Sequence, residues 1–109
     1  MYLNYKTSKE LKESIKIKNR HTYKLITDKI DSLDMDNADG YSFEVGAYIF
    51  IIVKSFKNTP FSHNILQHEI THAVFLSGDY IGIEYNKANE EYYAYMSGFI
   101  TQQIHSKLK

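Results

Sequence analysis

His68, Glu69 and His72 stand at the spacing H-E-x-x-H. On an α-helix, residues four apart lie one above the other on the same face. Both imidazoles can then reach one metal ion. Glu69 lies next to the first of them, where a carboxylate can take a proton from water that the ion has activated. This arrangement is suited to zinc-assisted hydrolysis. It needs a third ligand, a scaffold and room for a substrate, and the rest of the chain is read for these.

A catalytic zinc site takes three protein ligands and keeps one position open. The chain has no cysteine, so there is no thiolate ligand and no disulfide, and histidine and carboxylate are the strong ligands left. The longer metzincin pattern would need Gly at 75 and His at 78, where Phe75 and Gly78 stand. A carboxylate on the following helix is the remaining common solution. Glu90 and Glu91 are the candidates, with Glu84 and Asp79 behind them. Ala94 and Gly98 follow Glu91 by three and seven residues, and small residues on that face would let two helices approach. The same offsets from Glu90 give the bulkier Tyr93 and Ser97, which favours Glu91. Acids in a first helical turn also complement the helix dipole, a role open to either. Tyr95, Tyr92 and Tyr85 are candidates for a hydroxyl donor to a developing oxyanion, although tyrosines more often pack. His63 reads as a surface or capping side chain, and His21 and His105 read as surface.

The elements that must position these residues are legible in part. Thr59 caps and Pro60 opens a helix that should run to about Ser77, with Gly78 in the left-handed exit position. Asn86 or Asn89 caps a last helix ending near Lys107. Upstream, Thr7 and Glu10 fit a capping box, predicting a helix over residues 7–18. Tyr23, Ile26, Ile30 and Leu33 predict a second, with residues 16–20 as the break. Residues 37–40 signal a turn. Tyr41, Phe43 and Val45 then alternate with Ser42 and Glu44, a strand with one wet face. Residues 47–56 are rich in β-branched and aromatic side chains and read as a buried strand. With Gly46 between them, the two strands form an antiparallel hairpin. If the buried strand lay at the sheet edge over the motif helix, it could align an extended peptide by strand addition.

Bulk properties limit the partners. The chain has 109 residues with 43% hydrophobic, 24% charged and zero net charge, which fits one folded α+β domain over residues 1–109. Zero net charge argues against nucleic acid as the main partner. No apolar stretch is long enough to span a bilayer as a helix, and residues 1–6 contain no secretory h-region, so a cytoplasmic protein is expected. The basic run before position 30 and the acidic residues after it read as solvated surface, or as segments that pair with each other.

Residues 68–74, H-E-I-T-H-A-V, followed by N-E-E-Y-Y-A-Y at 89–95, resemble the gluzincin branch of zinc peptidases, the thermolysin-like pattern. The fuller stretch is similar to short zincin-like proteins of phages and prophages. The matching residues are 68–73, Gly82-Ile83, Glu90-Glu91, Ala94-Tyr95 and Gly98, roughly the last half of the chain. Asp39-Gly40-Tyr41 adds a weaker match where that family has its sheet. The resemblance implies a minimal zincin-like domain with one Zn2+ held by His68, His72 and Glu91. It also implies Glu69 as general base and a peptide or protein substrate. The larger gluzincins add a lobe that closes the cleft, and here almost nothing follows the second helix. The leading expectation is a zinc-dependent metallopeptidase or related amide hydrolase, phage-derived as the resemblance implies. A zinc-stabilised protein that modulates a host or virion component without turnover is the alternative. A metal-free helical module is the third reading.

Overall fold

The computed structural model describes residues 2–108. Three strands, β1 (Tyr2–Tyr5), β2 (Gly40–Val45) and β3 (Tyr48–Lys54), form one sheet in the order β1-β3-β2. Helices α1 (Ser8–Ser14) and α2 (Arg20–Ser32) cover one face, and α3 (Pro60–Ile81) and α4 (Glu90–Lys107) lie on the other. The expected α+β class is found. The purely antiparallel sheet is not, because β1 pairs parallel to β3, with Tyr2 opposite Ile51 and Tyr5 opposite Lys54. Four residues without flanking turn signals gave this strand no period to detect.

β3 is the centre of both cores. Phe50 and Ile52 point into the cluster with Tyr5, Leu11, Ile26 and Ile30. Ile51 and Val53 point into the other, with Leu66, Ile70, Ala73 and Val74. A strand buried on both faces needs a continuous apolar run instead of alternation, which is why residues 49–53 contain no polar side chain. β2 pairs antiparallel with β3 through a two-residue turn in which Gly46 takes φ 58°, as expected for the hairpin.

α1 starts where the capping box placed it, the Thr7 hydroxyl accepting from the Glu10 amide at 3.2 Å. It ends at Ser14, four residues short of the expected end, because Ile15 leaves helical geometry to reach the core. Asn19 then caps α2 by accepting from the Thr22 amide, so the break falls at residues 15–19, one residue earlier than expected. Of the basic and acidic runs, Lys12 and Asp31 pair at 2.8 Å between α1 and α2, and Lys24 and Asp28 pair within α2. Both are exposed pairs that add little.

The Tyr5 hydroxyl, buried in the first core, donates to the Met35 carbonyl at 2.6 Å. Burial, with smaller contributions from Asp36, Tyr41 and Asp39, pushes it up from 10.0 to about 12. A raised folded-state pKa stabilises fully below the unfolded value and is lost as pH rises through the folded one. Urea midpoints of the wild type should therefore fall between pH 10 and 12. Tyr5→Phe should start lower, by about 1 kcal/mol for the lost hydrogen bond, and fall less steeply over that window. Among the described residues no helix is long and apolar enough to cross a membrane.

Candidate metal centre

α3 runs unbroken for 22 residues, from the Thr59 cap, which accepts from the Ser62 amide, to Gly82 at φ 75°. The expected exit at Gly78 is corrected: Gly78 lies inside the helix and is buried. An added Cβ there would meet the Tyr93 hydroxyl at 2.1 Å and its Cζ at 2.6 Å. The glycine is a seat for an α4 side chain, and the helix continues one turn to the next glycine.

Leu66, Ile70, Ala73 and Val74 fix the inner face of α3 against the sheet and α4. That orientation leaves His68 and His72 exposed and places Glu69 between the two environments, 7% exposed. The Nε2 atoms of His68 and His72 are 3.2 Å apart, with their rings edge to face. Two nitrogens each about 2.05 Å from one tetrahedral zinc ion would lie about 3.3 Å apart. The separation matches that of two zinc ligands, and it is also that of an Nε2–H···Nε2 hydrogen bond between the two rings.

Glu69 is held from β2. The Ser42 hydroxyl lies 2.6 Å from the Glu69 carbonyl oxygen and 3.1 Å from its Oε1. Gly40 lies against the same side chain, where an added Cβ would come within 3.1 Å of Glu69 Cγ and 2.9 Å of the Ile52 carbonyl oxygen. A cleft of about 280 Å³ opens here, lined by Asp39, Gly40, Asn64, Ile65, His68 and Glu69. The alternation puts Ser42 on the wet face of its strand, and Gly40, expected as the end of a turn, is the first residue of β2. Glu44 on that face is exposed as expected, whereas Ser42 is covered by Glu69 of α3. β3, the strand expected at the edge over the helix, is central, and the free edge beside the motif is β2.

The carboxylates of the second helix are placed differently from the histidines. Glu91 is exposed in the first turn of α4. Glu90 lines a separate pocket with Thr71, Val74, Phe75, Tyr85 and Tyr93. Glu84 and Asp79 are exposed. Among the described residues no three His, Asp or Glu side chains gather in a group able to hold a metal. The register of α4 on α3 explains this. Tyr93 sits on Gly78 and donates to the Ile83 carbonyl at 2.6 Å, while Tyr92 meets Ser77 at 3.1 Å. At the other end the His63 and His105 rings stack at 5.3 Å. The first turn of α4 therefore lies level with Gly78, about 9 Å along the axis from His72 at 1.5 Å per residue. The face carrying Ala94 and Gly98 was expected to pack closely, yet Ala94 is exposed and a Cβ at Gly98 would meet nothing within 4 Å. The packed face instead carries Tyr93 and Ile104, flanked by Tyr92, Met96 and Ile100.

Of the candidate donors, the Tyr92 hydroxyl is engaged by Ser77, and Tyr85 leans on Phe75 and Tyr93. Tyr95 stands on the outer face, 68% exposed, stacked on Phe99. The Tyr93 hydroxyl is pushed above the ordinary tyrosine value by burial, then by Asp79, Tyr92 and Tyr85. His105, expected to be free on the surface, is instead half-buried against His63, which also bonds Asn58 at 2.7 Å.

No family model matches the chain, and neither the curated proteins nor the solved structures give a match.

Proposed function

We propose that the chain is a zinc-dependent amide hydrolase of gluzincin-like type acting on peptide or protein, in keeping with the phage zincin-like resemblance. The observation that carries the reading is the His68–His72 pair, set at zinc-ligand separation on an exposed helix face beside a nearly buried Glu69. His68 and His72 would hold the ion by Nε2. Glu91 is the third ligand by resemblance, and reaching the ion would require the first turn of α4 to move toward His72. Zinc, when bound, acidifies water and polarises a carbonyl. Glu69 does the proton work: it takes a proton from the attacking water and returns it to the leaving amine nitrogen. β2 is an edge strand beside that carboxylate, and an extended peptide would add to it through main-chain hydrogen bonds.

The second reading, a zinc-stabilised binding protein without turnover, draws support from the exposed Tyr95–Phe99 pair on the outer face of α4. Elemental analysis together with a digest of an unfolded polypeptide separates the two. One zinc per chain with cleavage is expected. Zinc without cleavage favours the binding protein, and a chain without stoichiometric zinc sinks both.

A further inference from the structure

We infer that Gly40 and Ser42 of β2 form a positioning cradle for Glu69, which ties up one carboxylate oxygen and leaves the other as the base. The inference rests on the hydrolase reading for its consequence in turnover, but its geometry stands apart from the metal.

Residues two apart on a strand point to the same face, so Gly40 and Ser42 both face α3. At Gly40 the main chain of β2 itself comes against Glu69. A Cβ at position 40 would press on the Ile52 carbonyl oxygen at 2.9 Å, on Glu69 Cγ at 3.1 Å and on Ile65 Cγ2 at 3.2 Å, so the glutamate or its neighbours would have to shift. Ser42 supplies the polar contact. Its hydroxyl has one proton to give and lies within reach of both the Glu69 carbonyl oxygen and Oε1. The same hydroxyl thus touches the backbone and the carboxylate end of one residue, which fixes the side-chain torsions between them.

The two oxygens of Glu69 are thereby made unequal. Oε1, at 3.1 Å, shares the single Ser42 proton with the nearer Glu69 carbonyl oxygen at 2.6 Å. Among the described residues Oε2 has no hydrogen-bond partner, and Glu69 lines the cleft it shares with His68. Oε2 is then the oxygen free to accept the proton from water. Ser42 keeps its own proton throughout, because Oε1 remains an acceptor whether Oε2 is ionised or protonated. Ser42 acts through Glu69 and is a positioning residue, not a catalytic one. A misplacement of about 1 Å in a reacting group costs on the order of a hundredfold in rate, and this cradle is what would hold the base to less than that.

The test compares wild type, Ser42→Ala and Ser42→Thr, with zinc content and thermal midpoint measured on each. The first readout needs no turnover: three-bond couplings across the Glu69 χ1 torsion. A single rotamer is expected in wild type and Ser42→Thr, and averaged couplings in Ser42→Ala. The second readout is kinetic, on whichever peptide of an unfolded polypeptide digest the wild type cleaves. Ser42→Ala should keep its zinc and its KM within about twofold and lose roughly ten- to a hundredfold in kcat. Ser42→Thr should restore kcat to within about threefold. Averaged couplings in the wild type, or an Ser42→Ala rotamer as fixed as the wild type's, overturn the cradle. So does a kcat loss that only follows lost zinc or a lowered midpoint. A wild type with a fixed Glu69 rotamer, freed in Ser42→Ala, but without turnover leaves the cradle standing and removes the hydrolase reading.

Discussion

Glu69→Gln is expected to leave the protein with its zinc and to lower its turnover by about 10²- to 10⁴-fold, the range for removing a positioned proton-transfer group. Gln keeps the shape of Glu and can still accept from Ser42 through its amide oxygen, so the contacts from β2 survive. What is lost is the capacity to take a proton. His72→Ala should behave in the opposite manner, emptying the site and losing turnover only as a result. In the proposed site two ligands on one helix would share one ion, and removing either would leave a single imidazole on an exposed face. Metal analysis and kinetics on the two variants together distinguish holding the ion from using it. Turnover in Glu69→Gln close to wild type would sink the general-base assignment. Zinc retained at full stoichiometry by His72→Ala would place the ion elsewhere. Glu91→Ala and Glu90→Ala, run alongside, bear on the third ligand: the reading expects loss of zinc affinity from the first and little change from the second.

Gly78→Ala should destabilise the fold by about 1–3 kcal/mol, the usual cost of overpacking a core. The sign is informative because helix propensity alone predicts the reverse, a gain of about 0.8–1.0 kcal/mol for Ala over Gly inside a helix. Sterics decide the outcome. The new methyl group would stand 2.1 Å from the Tyr93 hydroxyl and 2.6 Å from Cζ, so the ring must move. Moving it breaks the bond to the Ile83 carbonyl and disturbs the contacts of the ring with Tyr85 and Tyr92. Urea unfolding measures the change, and a stabilised variant would show that α4 is free to shift on α3. Such a shift is also what would bring the first turn of α4 toward His72, so this variant reports on the mobility that the Glu91 ligand needs.

What could be read from the sequence divides along the line between local and non-local physics. The start of α3 was legible because Thr59 and Pro60 carry their own capping chemistry. Its end was not, because two glycines stand four residues apart and only the tertiary partner of Gly78 shows which one closes the helix. The hairpin was legible from Gly46 and the alternation in β2, whereas β1 depends on a partner far along the chain. At the site, the His68–His72 convergence follows from helix periodicity, and it is present. The contacts of Ser42 and Gly40 with Glu69 depend on how β2 crosses α3, which no local pattern encodes. The placement of Glu91 shows the same limit. Small residues at 94 and 98 suggested a packed face, but helix register is decided by the larger side chains. Here Tyr93, seated on Gly78, decides it.

The parallel pairing of β1 with β3 has a consequence for the order in which the molecule assembles. Tyr2 must find Ile51, about fifty residues later. Closing so long a loop costs entropy before it returns any contact, and such pairings slow folding. The β2–β3 hairpin needs no such closure and can form first. On a ribosome adding roughly 5–20 residues per second, β1 would wait several seconds for its partner strand to be made. Once β3 is made, the hydrogen-bonding edge that β1 covers is open until β1 docks. The short N-terminal strand is thus the last stave of the sheet, and it brings Tyr5 into the first core.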